Sequence, residues 1–156
     1  MTPETTNRNC FQLRTATPAD LPDVLSLVRR SGLPIEGIGA DALRDFVIAE
    51  CGGKLIGVAG LEVYQDSALL RSAAVEDSWR GTGVGRALVD RALAIAEEHG
   101  VHDIFLLTTT AEHYFPRFGF VGVDRASVPQ SVQASAEFRG ACPSTALVMR
   151  KEINPA

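Results

Sequence analysis

The sequence predicts a single α/β domain, a mixed sheet with helices on both faces, and three observations carry that expectation. Strand-like and helix-like runs alternate in the order β-α-(α)-β-β-β-α-β-α-β-β. Residues 104–108 form a continuous apolar run of strand length, as a strand covered on both faces requires. Three glycines crowd the junction between one strand and the most strongly periodic helix. A chain of 156 residues, 46% of them apolar, suits one domain and has enough Leu, Val, Ile and Phe to form a core.

Residues 1–10 read as a polar lead-in and residues 11–151 as the domain. The first strand is expected at 11–15. Thr17-Pro18-Ala19-Asp20 then opens a helix, with Thr17 as N-cap and Asp20 at the positive end of the dipole. Leu21, Val24, Leu25 and Val28 give this helix its apolar stripe. Residues 31–39 are a turn-rich apolar loop, and a short helix is expected at 41–45. Strands at 46–50 and 54–63 are joined by Cys51-Gly52-Gly53, a hairpin signal, and a further strand follows at 68–75. A helix over 82–99 presents Val84, Leu88, Ala92, Ile95 and Ala96 on one face, and Gly100 closes it. After the 104–108 strand, residues 111–118 fit a short helix ended by Gly119. The last strands fall at 120–123 and 145–151, separated by a long connection.

Composition excludes several classes of function. Fifteen Lys and Arg against nineteen Asp and Glu leave a net charge of −4, which lacks the basic footprint that nucleic-acid binding needs. No apolar stretch reaches the length of a membrane span, and the first residues lack a signal-peptide pattern, so a cytoplasmic protein without a membrane partner is expected. Cys10, Cys51 and Cys142 are too few and scattered for a disulfide scaffold or zinc knuckle and read as reduced thiols. His99 and His102 are divided by the helix-ending Gly100, so no metal site is expected.

The stretch that carries chemistry is Ala73-Ala74-Val75-Glu76-Asp77-Ser78-Trp79-Arg80-Gly81-Thr82-Gly83-Val84-Gly85-Arg86. A glycine-rich turn between a strand and a helix start brings backbone close to a ligand and aims several free N–H groups at one spot. Added to the helix dipole, this makes an anion site suited to a pyrophosphate. The turn lacks the Gly-Lys-Ser/Thr ending of a P-loop and the third glycine of a dinucleotide fold.

Arg80-x-x-Gly83-x-Gly85 resembles the acyl-CoA loop of the GNAT acetyltransferase superfamily, and Phe115-x-x-x-Gly119-Phe120 resembles its closing helix. The resemblance implies a central sheet of about seven mostly antiparallel strands, splayed in the middle and flanked by about four helices. It also implies acetyl-CoA as cosubstrate. The backbone of Gly81, Thr82, Gly83, Val84, Gly85 and Arg86, entered from Arg80, would hold the pyrophosphate. Ala73, Ala74 and Val75 would pair with the pantetheine arm. The superfamily often dimerises, so a homodimer is a further implied partner.

Acetyl transfer to an amine needs a base for the ammonium proton and an acid for the leaving thiolate. In many GNAT enzymes a tyrosine acid stands four residues before the Gly-Phe pair, where this sequence has Phe115, and Tyr114 lies one residue earlier. Tyr114 is the candidate acid. Glu62 is the candidate base, with His113 as another. Phe115 in the tyrosine position also leaves open a CoA-binding sensor without catalysis.

Leu107-Thr108-Thr109-Thr110, Leu69-Leu70-Arg71-Ser72 and Ser135-Ala136-Glu137-Phe138-Arg139 with Cys142-Pro143 look closest to bacterial arsenic-resistance N-acetyltransferases and related amino-acid N-acetyltransferases. That likeness implies a small amine substrate, a glutamate-like amino acid or its arsenical or phosphinic analogue, taken in a ternary complex. Such an acid calls for arginines, and Arg71 and Arg139 are the candidate clamps. Ser72 and Thr108 would stand beside them. Cys51 and Cys142 are candidates to contact a soft arsenical.

Overall fold

The computed structural model describes residues 11–142 and 145–153. The lead-in expected over residues 1–10, which includes Cys10, and Pro143 lie outside the described residues. One seven-stranded sheet is built from Gln12–Thr15 (β1), Val47–Cys51 (β2), Lys54–Tyr64 (β3), Ser67–Val75 (β4), Asp103–Thr108 (β5), Val121–Gly122 (β6) and Leu147–Glu152 (β7). Its order is β1-β2-β3-β4-β5-β7-β6, and only β4 and β5 are parallel.

That parallel contact is short. Ser67, Ala68 and Leu69 pair with Asp103, Ile104 and Phe105, and beyond Leu69 the two strands are no longer paired. The sheet is therefore open in its middle, as the resemblance implied. β4 also carries a bulge: Val58 faces Ala74 and Gly60 faces Arg71, so Ser72 and Ala73 stand against Ala59 alone. Ser72 takes the left-handed conformation at φ 60°, which is costly for a residue with a Cβ. One extra residue reverses which face each side chain meets. Before the bulge Ala68 and Leu70 join the core beneath the long helix, whereas after it Ala74 joins the core on the opposite face.

Two α-helices cover the two faces. Leu21–Arg30 (α1) packs Val24, Leu27 and Val28 against Phe46, Ile48 and Val58. Val84–Glu98 (α2) packs Val84, Leu88, Val89, Ala92 and Ala96 against Val47, Ala59 and Leu61. A Cβ on Gly57 would stand 2.8 Å from Leu88 Cδ1, so glycine there lets α2 sit close on the sheet. A third cluster gathers Leu69, Phe105 and Val148 under Val132 of the short helix Gln130–Gln133 (α3).

The start of α1 differs from expectation, because Pro18–Asp20 is a 3-10 turn that leads into the helix. Asp20 Oδ2 accepts the Thr17 N–H at 2.7 Å, and its two oxygens accept Arg14 Nη1 and Nη2, each at 2.9 Å. Residues 41–45 likewise form a 3-10 helix, Ala40–Asp45. The expected 111–118 helix is a turn followed by the 3-10 helix Phe115–Phe118. Pro116 explains this: it has no N–H for a helical bond and disfavours helical geometry at the residue before it. Cys51 is disulfide-bonded, which corrects the reading of it as a reduced thiol, while Cys142 is free. Among the described residues no helix is long and apolar enough to cross a membrane.

Candidate active site

The glycine turn is built by backbone conformation. Trp79 is buried against Phe11, and the Thr82 hydroxyl donates to Trp79 O at 2.5 Å, which fixes the approach to the helix. Gly81 and Gly83 then take φ of 76° and 93°, a region that disfavours any residue with a Cβ. Because both are left-handed, α2 begins at Val84 and not at 82. Its first intrahelical bond runs from Ala87 N–H to Gly83 O at 3.0 Å, so the amides of Val84, Gly85 and Arg86 have no partner within the helix. These amides and the helix dipole make a surface suited to an anion.

A cavity of about 1090 Å³ runs from this turn along the open edge of β4 and beneath the 31–39 loop. Ala73, Ala74 and Val75 line it from β4, and Gly81, Gly83 and Gly85 from the turn. Arg80 and Arg86 reach it as well. Among the described residues each is paired with an exposed acid alone, Asp77 at 3.2 Å and Asp90 at 4.0 Å, pairs too weak to keep either cation from an anion. Arg29 and Arg117 add two more cations to the wall, so a chain of net charge −4 still presents a positive cleft here. Thr82 and Val84 contribute backbone alone: the first hydroxyl is spent on Trp79 and the second side chain lies in the core.

Tyr114 and Phe115 both line the cavity, and Phe115 also belongs to the core. Phe115 is buried and stacks edge-on against Phe120, with ring centres 5.9 Å apart. The Tyr114 ring lies under the Arg117 guanidinium, 4.4 Å from its carbon. Its hydroxyl sits 3.3 Å from where a Cβ on Gly85 would stand, at the helix end of the cleft. Burial raises the Tyr114 phenol above its ordinary value, so it remains protonated at neutral pH. Thr108 also lines the cavity, and its hydroxyl accepts the Ala111 N–H at 2.8 Å. His113 is exposed.

The far end of the cavity is organised around Arg71, whose side chain is wholly buried. Its Nη1 donates to Glu36 O at 2.7 Å and to Glu62 Oε2 at 3.0 Å, and its Nη2 donates to Pro34 O at 3.1 Å. Its Nε donates to Ser72 Oγ at 3.0 Å and lies 3.4 Å from Glu137 Oε2. Arg71 thus pins the 34–36 segment and the bulge to the sheet, and among the described residues only one Nη2 hydrogen is left for a ligand. This revises the expectation of a two-pronged clamp. Arg139 is exposed and outside the cavity lining.

Glu62 is also engaged. One oxygen accepts from Arg71, the other accepts the Tyr64 hydroxyl at 2.5 Å, and Glu62 is outside the cavity lining. Burial, followed by that bond to Glu62, holds the Tyr64 phenol above its ordinary range. Sequence reasoning gave Glu137 no role, yet it lines the cavity and is 4% exposed. Burial pushes its carboxyl up to about 7, against the opposing pull of Arg71. The Cys142 thiol, pushed up to about 12 by burial, donates to Glu137 and lines the same wall. An acidic residue in a long connection is ordinarily solvated, so nothing in the local sequence marked Glu137 out.

A family model described as Acetyltransferase (GNAT) domain matches residues 42–122. An uncharacterized N-acetyltransferase of Chlorobaculum tepidum is 34% identical over 110 residues, which cover 68% of this chain and 70% of that protein. The amino-acid acetyltransferase of Mycobacterium tuberculosis is 33% identical over 96 residues, 59% of this chain and 55% of its own length, so the chain spans about half of that relative. The N-acetylglutamate synthase of Neisseria gonorrhoeae, solved with coenzyme A and N-acetyl-glutamate, shares the fold with a TM-score of 0.80 at 20% identity. That likeness covers 92% of this chain and 35% of the synthase. With the open β4 edge and the glycine turn at the head of α2, these likenesses show that the chain belongs to the GNAT acetyltransferase family, N-acetyltransferases that draw on acetyl-CoA.

Proposed function

We propose that the protein moves the acetyl group of acetyl-CoA directly to the amine of a glutamate-like amino acid or its phosphinic or arsenical analogue. The observation that carries this is the cleft with two unlike ends. One end is a nest of unpaired amides with Arg80 and Arg86 beside it, suited to a pyrophosphate. The other is a charged pocket at the β4 bulge, suited to an amine. Amino-acid acetyltransferase relatives support the substrate class. The pantetheine arm runs along Ala73, Ala74 and Val75, where β4 has lost its parallel neighbour. Arg71, through its remaining hydrogen, orients a substrate carboxylate, with Ser72 and Thr108 beside it. Tyr114 returns a proton to the thiolate, and Glu62 holds Arg71 in place.

Thiol release from acetyl-CoA, followed over glutamate, methionine sulfoximine, phosphinothricin and its arsenic analogue, tests the proposal. Turnover with a member of this set and none with simple alkylamines is expected. Turnover confined to alkylamines overturns the substrate class, and no turnover with any amine favours a CoA-binding sensor.

A further inference from the structure

We infer that Glu137 is the base that takes the proton from the acceptor ammonium. The inference rests on the transferase reading above and adds a residue to it. Three acidic residues, Glu36, Glu62 and Glu137, meet Arg71, and the structure distinguishes them. Glu36 is exposed, and its backbone carbonyl is what Arg71 holds. Glu62 has both oxygens engaged, by Arg71 and by Tyr64, and does not line the cavity. Glu137 lines the cavity, is 4% exposed, and meets Arg71 only at 3.4 Å, a long contact for an ion pair. Beyond the bond it accepts from the Cys142 thiol, its carboxylate keeps lone pairs for a substrate N–H within the space that an acceptor must occupy.

The charged and titratable groups that face it come from each neighbouring element. They are Arg71 from β4, Glu62 and Tyr64 from β3, Glu36 from the 31–39 loop and Cys142 from the segment that follows. Burial and the two acids raise the carboxyl, Arg71 lowers it, and the balance near 7 lies where a general base is most effective. The proton inventory closes. Glu137 takes one ammonium proton, and the freed amine lone pair forms the C–N bond at the thioester carbonyl. The C–S bond then breaks, and the second amine proton balances the departing thiolate. An acceptor bound beside Arg71 and Glu137 is recognised at both of its charges, the carboxylate by one and the ammonium by the other.

The test is the pH profile of kcat/KM for the wild type, Glu137→Gln and Glu137→Asp, with the acceptor that gives the fastest thiol release. The wild type is expected to lose activity as pH falls through about 7. Glu137→Gln should lower kcat by about 100-fold or more, leave KM for acetyl-CoA unchanged and abolish that limb. Glu137→Asp should restore part of both. A flat wild-type profile between pH 5 and 8 overturns the inference without recourse to a variant, on the order-of-magnitude expectation of a group titrating about pH 7. So does a Glu137→Gln enzyme that keeps kcat, or keeps the limb. Absence of thiol release with every amine in the wild type sinks the transferase reading and this inference together, whereas an active wild type with an unaffected Glu137→Gln sinks this inference alone.

Discussion

The two ends of the cleft are made of different material. At the head of α2 the cavity meets backbone amides, set by two left-handed glycines and left unpaired because a helix has just begun, with the permanently charged Arg80 and Arg86 beside them. At the β4 bulge they are side chains: Arg71, Glu137 and Cys142, with Glu62 and Tyr64 behind them. Backbone amides carry a fixed partial charge whatever the pH. The side-chain end is a balance of opposed charges in a dry setting, where losing one partner leaves the others uncompensated. A constant end suits a cofactor that is the same in every turnover, and an adjustable end suits the step in which a proton moves.

The sharpest way to break this contrast is to remove Arg71. Arg71→Ala leaves the buried Glu137 and the half-buried Glu62 without their cation and releases the carbonyls of Pro34 and Glu36. It should lower stability in a denaturant titration by about 3–5 kcal/mol. A loss of under about 1 kcal/mol would show that the cluster is solvated and that the contrast is overstated.

A carboxylate outside both ends sharpens it. Arg14, ahead of all other partners, holds the Asp20 carboxyl down from 3.8 to about 2. Its stabilising contribution is therefore present above 3.8 and lost as pH falls through about 2. Glu137 has the opposite sign: raised from 4.5 to about 7, it favours the fold below 4.5, and that contribution is lost as pH rises through about 7. Asp20→Asn should cost about 1–2 kcal/mol at neutral pH and flatten the acid limb of stability, with kcat unchanged. Glu137→Gln should flatten the decline between pH 4.5 and 7 instead, on the ordinary and raised values of its carboxyl. Thermal melts across pH separate the two.

The smallest effect tests a side chain at the helix end. Tyr114→Phe removes one hydroxyl beside Gly85 and leaves the ring under Arg117. A fall in kcat of about 10-fold, without change in melting temperature, is expected of an acid that assists the thiolate. Unchanged kcat assigns that proton to water.

The glycine turn was read in the sequence as one segment, whereas Arg71, Ser72, Glu62 and Cys142 were read there singly and Glu137 not at all, for one physical reason. The nest depends on Gly81, Gly83 and Gly85, neighbours in the chain, and on the periodicity of Val84, Leu88 and Ala92 behind them. The charged pocket joins residues from 34–36, 62–64, 71–72 and 137–142, which only the folded sheet brings together. Arg71 looks the same in sequence whether it waits for a ligand or pins a loop, and its count of acceptors decides. The succession of strands along the chain followed from alternation, and the β2-β3 hairpin from the Cys51-Gly52-Gly53 turn, since short-range chemistry sets both. The bulge at Ser72 did not, because no residue type there announces a positive φ. The 120–123 strand shrinks to Val121–Gly122, with Phe120 ahead of it in the core and 1% exposed.

Calorimetric titration of acetyl-CoA into Gly83→Val and Glu137→Gln tests the division of labour most directly. A Cβ at position 83 meets no atom within 4 Å, so the substitution acts through the left-handed backbone at φ 93° and the amides that it aims. Affinity is expected to fall about 10-fold or more in Gly83→Val, from the roughly 1–2 kcal/mol cost of a side chain in that conformation, and to stay unchanged in Glu137→Gln. Wild-type affinity in Gly83→Val, or an equal loss in both variants, would contradict that division.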